Sequence, residues 1–326
     1  MSSLPFTHPA NSVVLGDKQF PLMLDNPQGF TTMDPTLDFL ATHRDTLLDA
    51  AATSGAILFR NYPLVDAASF DRFAAALSTR PFTYQESLSN AVRINLTDRV
   101  FTANEAPPGV EIFLHHEMAQ TPDSPRWLFF YCHTSATAGG ATPLVRSDWL
   151  FDRLQSEAPD WATELATRGV RYRTRMPGEN DAASGQGRSW KSTLGAANRA
   201  EAEQRLEALG YSFEWHADDS VSTRTPVLPA VRDLPDGRRS LFNQLIAAYC
   251  GWRGAAENPT SAITWGDDGE IPRALLEYLA HTAYDLAFDL EWQDGDLALV
   301  DNALVMHGRR PFSGDRKRAV WVAMGR

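Results

Sequence analysis

The chain is poor in cysteine, in positive charge and in long apolar runs, and each shortage narrows what it can be. Only Cys132 and Cys250 occur in 326 residues, so at most one disulfide could form. Their apolar or mixed surroundings read as buried reduced thiols, which fits a reducing cytoplasm. Lys and Arg number 30 against 41 Asp and Glu, a net charge of −11. That balance excludes nucleic acid and an anionic membrane surface as expected partners, because phosphate must be met by clustered basic side chains. It leaves room for a small anionic ligand, which a single buried arginine can capture. No apolar stretch approaches the roughly 18 residues needed to span a bilayer. The segment Met1 to Pro9 has no basic run followed by an apolar one, so it does not read as a signal peptide. The expectation is a soluble, cytoplasmic protein with a small-molecule substrate and no membrane partner; the oligomeric state is left open.

What is present is a substantial apolar fraction, 43%, enough for a large core. Length alone suggests about two domains, but barrels and sandwiches of this size often form one, and a single domain over 1–326 is expected. Its N-terminal part, about 1–80, reads as helical. Leu37, Leu40, Ala41, Leu48 and Ala51 recur near helical spacing, as do Phe70, Phe73, Ala74 and Leu77. Between them Ala56 to Phe59 is a short apolar run that reads as a buried strand. An insertion is expected at about 148–215, with a helix over Ala200 to Leu209 closed by Gly210. Pro177 to Gly187 is rich in Gly, Asp, Asn and Ser and reads as a loop, of the kind that often binds or covers a ligand. Elsewhere strands dominate: Trp127 to Cys132, Thr142 to Val145 after the turn Gly139-Gly140, Gly169 to Arg173, and the terminal set Leu297 to Val300, Leu304 to Gly308 and Ala319 to Met324. Pro235 to Arg238 marks a hairpin turn between Ala230-Val231 and Ser240 to Phe242, and Ile271, Leu275, Leu279 and Ala283 mark a further helix. The fold class is mainly β with helical insertions (α+β), and a jelly roll satisfies the pattern.

Three polar signals stand out. In Ile112 to Met118, an extended strand would place His115 and Glu117 on one face and His116 on the other. His307 lies in Asp301 to Phe312. Two imidazoles and one carboxylate make a facial triad with positions left open for substrate and dioxygen; Fe(II) suits these ligands, and Zn(II) does too. Arg318, eleven residues after His307 in sequence, offers the planar fork that pairs with a carboxylate. It shares a strand face with Val320 and Val322, whereas Arg316 and Lys317 read as a solvated turn. Thr142 adds a hydroxyl.

These motifs resemble the TauD/TfdA family of Fe(II)/2-oxoglutarate dioxygenases. The likeness is tightest at Phe113 to Ala119, Gly139 to Leu144 and Asp301 through Arg318, and it runs from Ala56 to the C-terminus. Gly187 to Thr193, Phe242 to Gln244 and Ala247 to Trp252 resemble the clavaminate-synthase-like and SyrP-like branch, whose carboxylate ligand is Glu. The resemblance implies a double-stranded β-helix core, iron ligands His115, Glu117 and His307, and 2-oxoglutarate contacts from Arg318 and Thr142. It implies dioxygen as oxidant and succinate and CO2 as products, with hydroxylation or desaturation of an unactivated C–H bond. Glu117 fills the position that is small in halogenating relatives, so oxygenation is the expected outcome. The substrate class it implies is an amino acid or amino-acid derivative of secondary metabolism. Arg188, Lys191 and Asn243 are candidate substrate contacts, with a surface salt bridge as the competing role for the first two. Alternatives are the same chemistry on a sulfonate or aryloxyacid, a metal-binding cupin-like protein without turnover, and a zinc hydrolase. Arg318 with Thr142 disfavours the last two, since neither needs a partner for a keto acid's distal carboxylate. A protein or nucleic-acid demethylase is disfavoured by the acidic charge and the lack of a basic stripe.

Overall fold

The computed structural model describes residues 4–78, 80–89, 91–181 and 187–326. A six-stranded sheet runs in the order Leu22–Asp25, Ala56–Arg60, Leu297–Asp301, Trp127–Thr134, Ala319–Gly325, Val100–Thr102. Its pairings are antiparallel except that of Leu22–Asp25 with Ala56–Arg60. The apolar runs Ala56 to Phe59 and Trp127 to Cys132 are continuous rather than alternating because both faces of this sheet are covered. On one face Ile57, Phe59, Phe129, Tyr131, Leu297 and Leu299 pack against the helices Met33–Ser54 and Ala67–Leu77. Phe70 and Phe73, fully buried there, each contribute on the order of 2 kcal/mol of burial. The second helix starts at a capping box in which Asp66 accepts from Ser69 N and Ser69 Oγ accepts from Asp66 N, which fixes where the chain turns.

The opposite face carries Leu58, Leu128, Phe130, Cys132, Val320 and Val322 toward a second, four-stranded sheet. That sheet has the order Phe288–Leu290, Thr142–Arg146, Val305–Arg309, Ile112–His115. A third sheet, in the order Ser212–Trp215, Val221–Arg224, Val170–Met176, Ile263–Trp265, accompanies the helices Ser147–Glu157, Pro159–Arg168 and Arg199–Ala208. The molecule is a mixed α/β protein whose two larger sheets face one another.

Three expectations need adjustment. The N-terminal part is not helical throughout, because strands Val13–Leu15, Lys18–Phe20 and Leu22–Asp25 precede the helices and the third extends the large sheet. The insertion does not close at 215, since two strands of its sheet come from beyond that point. The hairpin around Pro235 to Arg238 pairs Arg232–Asp233 with Arg239–Ser240, closer to the turn than expected. Residues 182–186 of the Pro177 to Gly187 loop lie outside the described residues. Cys132 and Cys250 are both free, and burial pushes their thiols up to about 12 and about 11. Among the described residues no helix is long and apolar enough to cross a membrane.

The second sheet places His307 directly opposite His115, and the register shifts between His307 and Arg309. Gly308 stands at that shift, where an added Cβ would lie 2.5 Å from the main-chain oxygen of Ile112. A backbone atom cannot move aside as a flexible side chain does. Gly308→Ala is therefore expected to cost about 1–3 kcal/mol, read as a lower midpoint in urea unfolding with an unchanged slope.

Candidate metal and co-substrate site

The cross-strand pairing brings the rings of His115 and His307 to a centroid separation of 4.4 Å. Glu117 joins them differently from the expectation. The strand ends at His115, and Glu117 sits in the turn that follows, ahead of Met118 at φ 59°. Asn302 stands in for the missing strand partner. Its Oδ1 accepts from Glu117 N at 2.7 Å, and its Nδ2 donates to Glu117 O at 3.0 Å and Pro125 O at 2.8 Å. The clamp turns the carboxylate inward, and one ligand atom from each of His115, Glu117 and His307 falls within 4.8 Å of the others.

His116 does point the other way. Its Nδ1 lies 2.6 Å from Asn302 O and its Nε2 2.6 Å from Ser147 Oγ. A carbonyl only accepts, so Nδ1–H donates and Nε2 accepts from the serine hydroxyl. The ring is a neutral strut between the two motifs.

The electrostatics are those of an incomplete site. Burial, then the neighbouring His307, brings the His115 pKa down to about 4, so its ring is neutral. Its Nδ1 is tied to Phe113 O at 2.8 Å, which leaves Nε2 with a free lone pair. Burial alone would raise the Glu117 pKa, but the Arg93 guanidinium and the two imidazoles outweigh it and hold the carboxyl well below the usual range. His307 Nε2 lies 3.6 Å from Glu117 Oε2, while its Nδ1 is buried without a hydrogen-bond partner among the described residues. Two imidazoles, one anionic carboxylate and one unsatisfied ring nitrogen are a donor set that fits a divalent cation.

These residues face a cavity of about 290 Å³ between the two larger sheets, with Phe130, Val320 and Val322 as an apolar wall. Thr142 and Arg318 line it as well. Trp292 Nε1 donates to Thr142 Oγ1 at 2.9 Å, which leaves the hydroxyl proton free for a ligand. Arg318 Nε donates to Gly140 O at 3.0 Å, and no carboxylate pairs with this guanidinium among the described residues. Burial and the nearby Arg309 bring its pKa down to about 10. Arg316 is held at the surface by Asp294 and Ser135, and Lys317 is exposed, so neither competes with Arg318 for the cavity.

The three expected substrate contacts do not reach the cavity. Arg188 is buried, but its guanidinium is spent on the carbonyls of Ser87, Ser89, Tyr84 and Ser192 and on Ser192 Oγ. Lys191 is exposed and pairs with Glu179 at 2.7 Å. Asn243 donates to Ala230 O and accepts from Leu245 N at the start of a helical segment. Sequence reasoning passed over Arg93, which lines the cavity and donates to both Glu117 oxygens at 3.1 Å. It also passed over Gln120, whose Oε1 is buried without a partner among the described residues. Arg93 lies in an irregular segment with no periodicity, so nothing local flagged it.

Comparison with known proteins agrees with this geometry. The family described as "Taurine catabolism dioxygenase TauD, TfdA family" matches residues 21–324. A clavaminate synthase-like protein of Arabidopsis thaliana is 34% identical over 307 residues, covering 92% of each chain. The dapdiamide synthesis protein DdaC of Enterobacter agglomerans is 27% identical over 307 residues, covering 90% of this chain and 88% of that one. The crystal structure of PvcB from Pseudomonas aeruginosa shares the fold, with a TM-score of 0.55 and 15% identity over 94% of this chain and 86% of that one.

Two outcomes are expected. His115→Ala and His307→Ala each lose Mn(II) binding by at least tenfold in calorimetric titration, because two of three ligands cannot close the site. The metal-free protein also loses stability in acid. The folded pKa values of His115 and His116, about 4 and about 3, lie below the ordinary 6.5, so the unfolded chain takes up protons that the folded one refuses. Stability is full above about pH 6.5 and falls as the pH drops toward 4. Urea midpoints at pH 7, 6 and 5 measure the slope.

Proposed function

This chain belongs to the TauD/TfdA family of Fe(II)- and 2-oxoglutarate-dependent dioxygenases, and from that premise we propose that it oxygenates a small amino acid or amino-acid derivative at an unactivated C–H bond. The two facing sheets would be the halves of a double-stranded β-helix, and residues 1–326 one oxygenase domain. His115, Glu117 and His307 would hold the iron, and Arg318 with Thr142 the distal carboxylate of 2-oxoglutarate. The observation that carries this reading is a convergent His-Glu-His set in the same cavity as a half-buried guanidinium, that of Arg318, which has no carboxylate partner among the described residues.

Iron and 2-oxoglutarate, when bound, supply the activation of dioxygen, with succinate and CO2 as by-products. The protein's own part is placement. The Phe113 carbonyl fixes which nitrogen of His115 faces the metal position. Asn302 fixes the Glu117 backbone. Trp292 directs the Thr142 hydroxyl. Phe130, Val320 and Val322 present no polar atom of their side chains to the reacting centre, which keeps water from competing.

The substrate class draws support from relatives. DdaC is named for dapdiamide synthesis, and another PvcB structure is described as an Fe, alpha-ketoglutarate dependent oxygenase from an isonitrile synthetic pathway. A natural-product role for this chain extends those names. The test is succinate release across a panel of amino acids, their derivatives, sulfonates and aryloxyacids. Stimulation by amino-acid compounds is expected, with product mass raised by one oxygen for hydroxylation or lowered by two hydrogens for desaturation. Stimulation by sulfonates or aryloxyacids alone would transfer the assignment to that class. Arg318→Ala is expected to raise the apparent KM for 2-oxoglutarate by about 30-fold or more, the effect of removing one partner of a buried charge pair. An unchanged KM would remove Arg318 from the co-substrate site.

A further inference from the structure

Four arginines line the cavity: Arg93, Arg253, Arg309 and Arg318. Arg253 is exposed at its edge. Arg309 is a strut, its terminal nitrogens bonded to the carbonyls of Asn104, Ala106, Pro107 and Val110. Arg318 has the co-substrate role proposed above. Arg93 is different from all three. Its side chain is 7% exposed, yet one terminal nitrogen makes all its hydrogen bonds, both to Glu117, and its Nε is buried with no partner among the described residues. It braces no main chain.

We propose that Arg93 is a specificity-determining residue: it stands in for a cation on Glu117 in the metal-free protein, and loading of the site frees it to bind one anionic group of the primary substrate. This rests on the oxygenase reading and deepens it. A guanidinium and a divalent cation compete for the same carboxylate, so a metal that takes one Glu117 oxygen weakens the hold of Arg93. Charge balance then asks for an anion. The Arg93–Glu117 pair is neutral, Glu111 of the same lining is paired with Arg310, and Arg318 carries one positive charge, so a divalent metal and a doubly charged 2-oxoglutarate leave one positive charge uncompensated. Arg309 adds to the same sign. A buried guanidinium without a counter-charge is costly, and a substrate carboxylate or sulfonate removes the cost with a forked, charge-assisted contact.

Gln120 narrows the class further. The residue is buried and borders the same cavity, and its Oε1 has no hydrogen-bond partner among the described residues. It can accept one hydrogen bond from a substrate ammonium, amide or hydroxyl. The ligand so defined is a small acid bearing a hydrogen-bond donor.

The experiment uses propionate and ethanesulfonate as minimal anions, with propionamide as the uncharged control. Each is titrated by NMR into wild-type protein, Arg93→Gln and Arg93→Lys, metal-free and loaded with Mn(II) and N-oxalylglycine, an unreactive co-substrate analogue. Loaded wild type is expected to bind an anion at least tenfold more tightly than propionamide and than the metal-free protein does. Arg93→Gln should lose that preference and Arg93→Lys keep part of it; whichever anion binds better separates carboxylate from sulfonate. Thermal melts supply a second readout: Arg93→Gln should lower the melting temperature of metal-free protein more than that of loaded protein, because only the former leaves Glu117 without a cation. Equal anion binding in Arg93→Gln, equal binding with and without metal, or equal losses in melting temperature would overturn the assignment. If wild type takes up neither Mn(II) nor the analogue, the oxygenase reading falls and the role of Arg93 falls with it.

Discussion

A carboxylate buried in protein stays ionised only beside a cation, and Glu117 is the point on which this structure turns. Its main chain is clamped by Asn302, its side chain faces His307 and Arg93, and its neighbour His115 is set by strand register. These groups come from three stretches of the chain, at residue 93, at 115–117 and at 302–307. The two sheets, the bulge at Gly308 and the neutral strut His116 serve to bring them together, with Arg93 as the cation beside Glu117. The result is a cluster of donors that the protein alone leaves incomplete.

The arginines of the region show how one residue type takes several roles according to its partners. Arg188 and Arg309 end on carbonyl oxygens and brace the segments that wall the cavity. Arg318 bonds one carbonyl, that of Gly140, and lines the cavity. Arg93 bonds only the Glu117 carboxylate among the described residues. Burial alone does not distinguish them; what each nitrogen touches does.

That distinction explains what could be read from the sequence. The candidate donors His115, Glu117 and His307 were legible because alternation along a strand and a histidine on a late strand are local patterns, and Arg318 because its spacing to Val320 and Val322 is that of one strand face. All three of these line the cavity. The large sheet was legible in Trp127 to Cys132 because a strand buried on both faces is apolar throughout. Arg188, Lys191 and Asn243 do not line the cavity, which the sequence could not reveal since a side chain's partners depend on distant main chain: two of the carbonyls that hold Arg188 lie some hundred residues away in sequence. Arg93 went unseen for the same reason, its only partner being reached across an irregular segment. Glu117 lies beside His115 and His307 by a route the sequence did not show, for a turn held by Asn302 does what a continued strand was expected to do.

The central claim is that this donor set and this guanidinium together bind ferrous iron and a keto acid. Its most direct test is the visible spectrum of the protein loaded anaerobically with Fe(II), before and after 2-oxoglutarate is added. The account predicts a weak charge-transfer absorption that appears with both and with neither alone. Iron-loaded protein that shows no such band, while zinc-loaded protein hydrolyses a substrate, would contradict it.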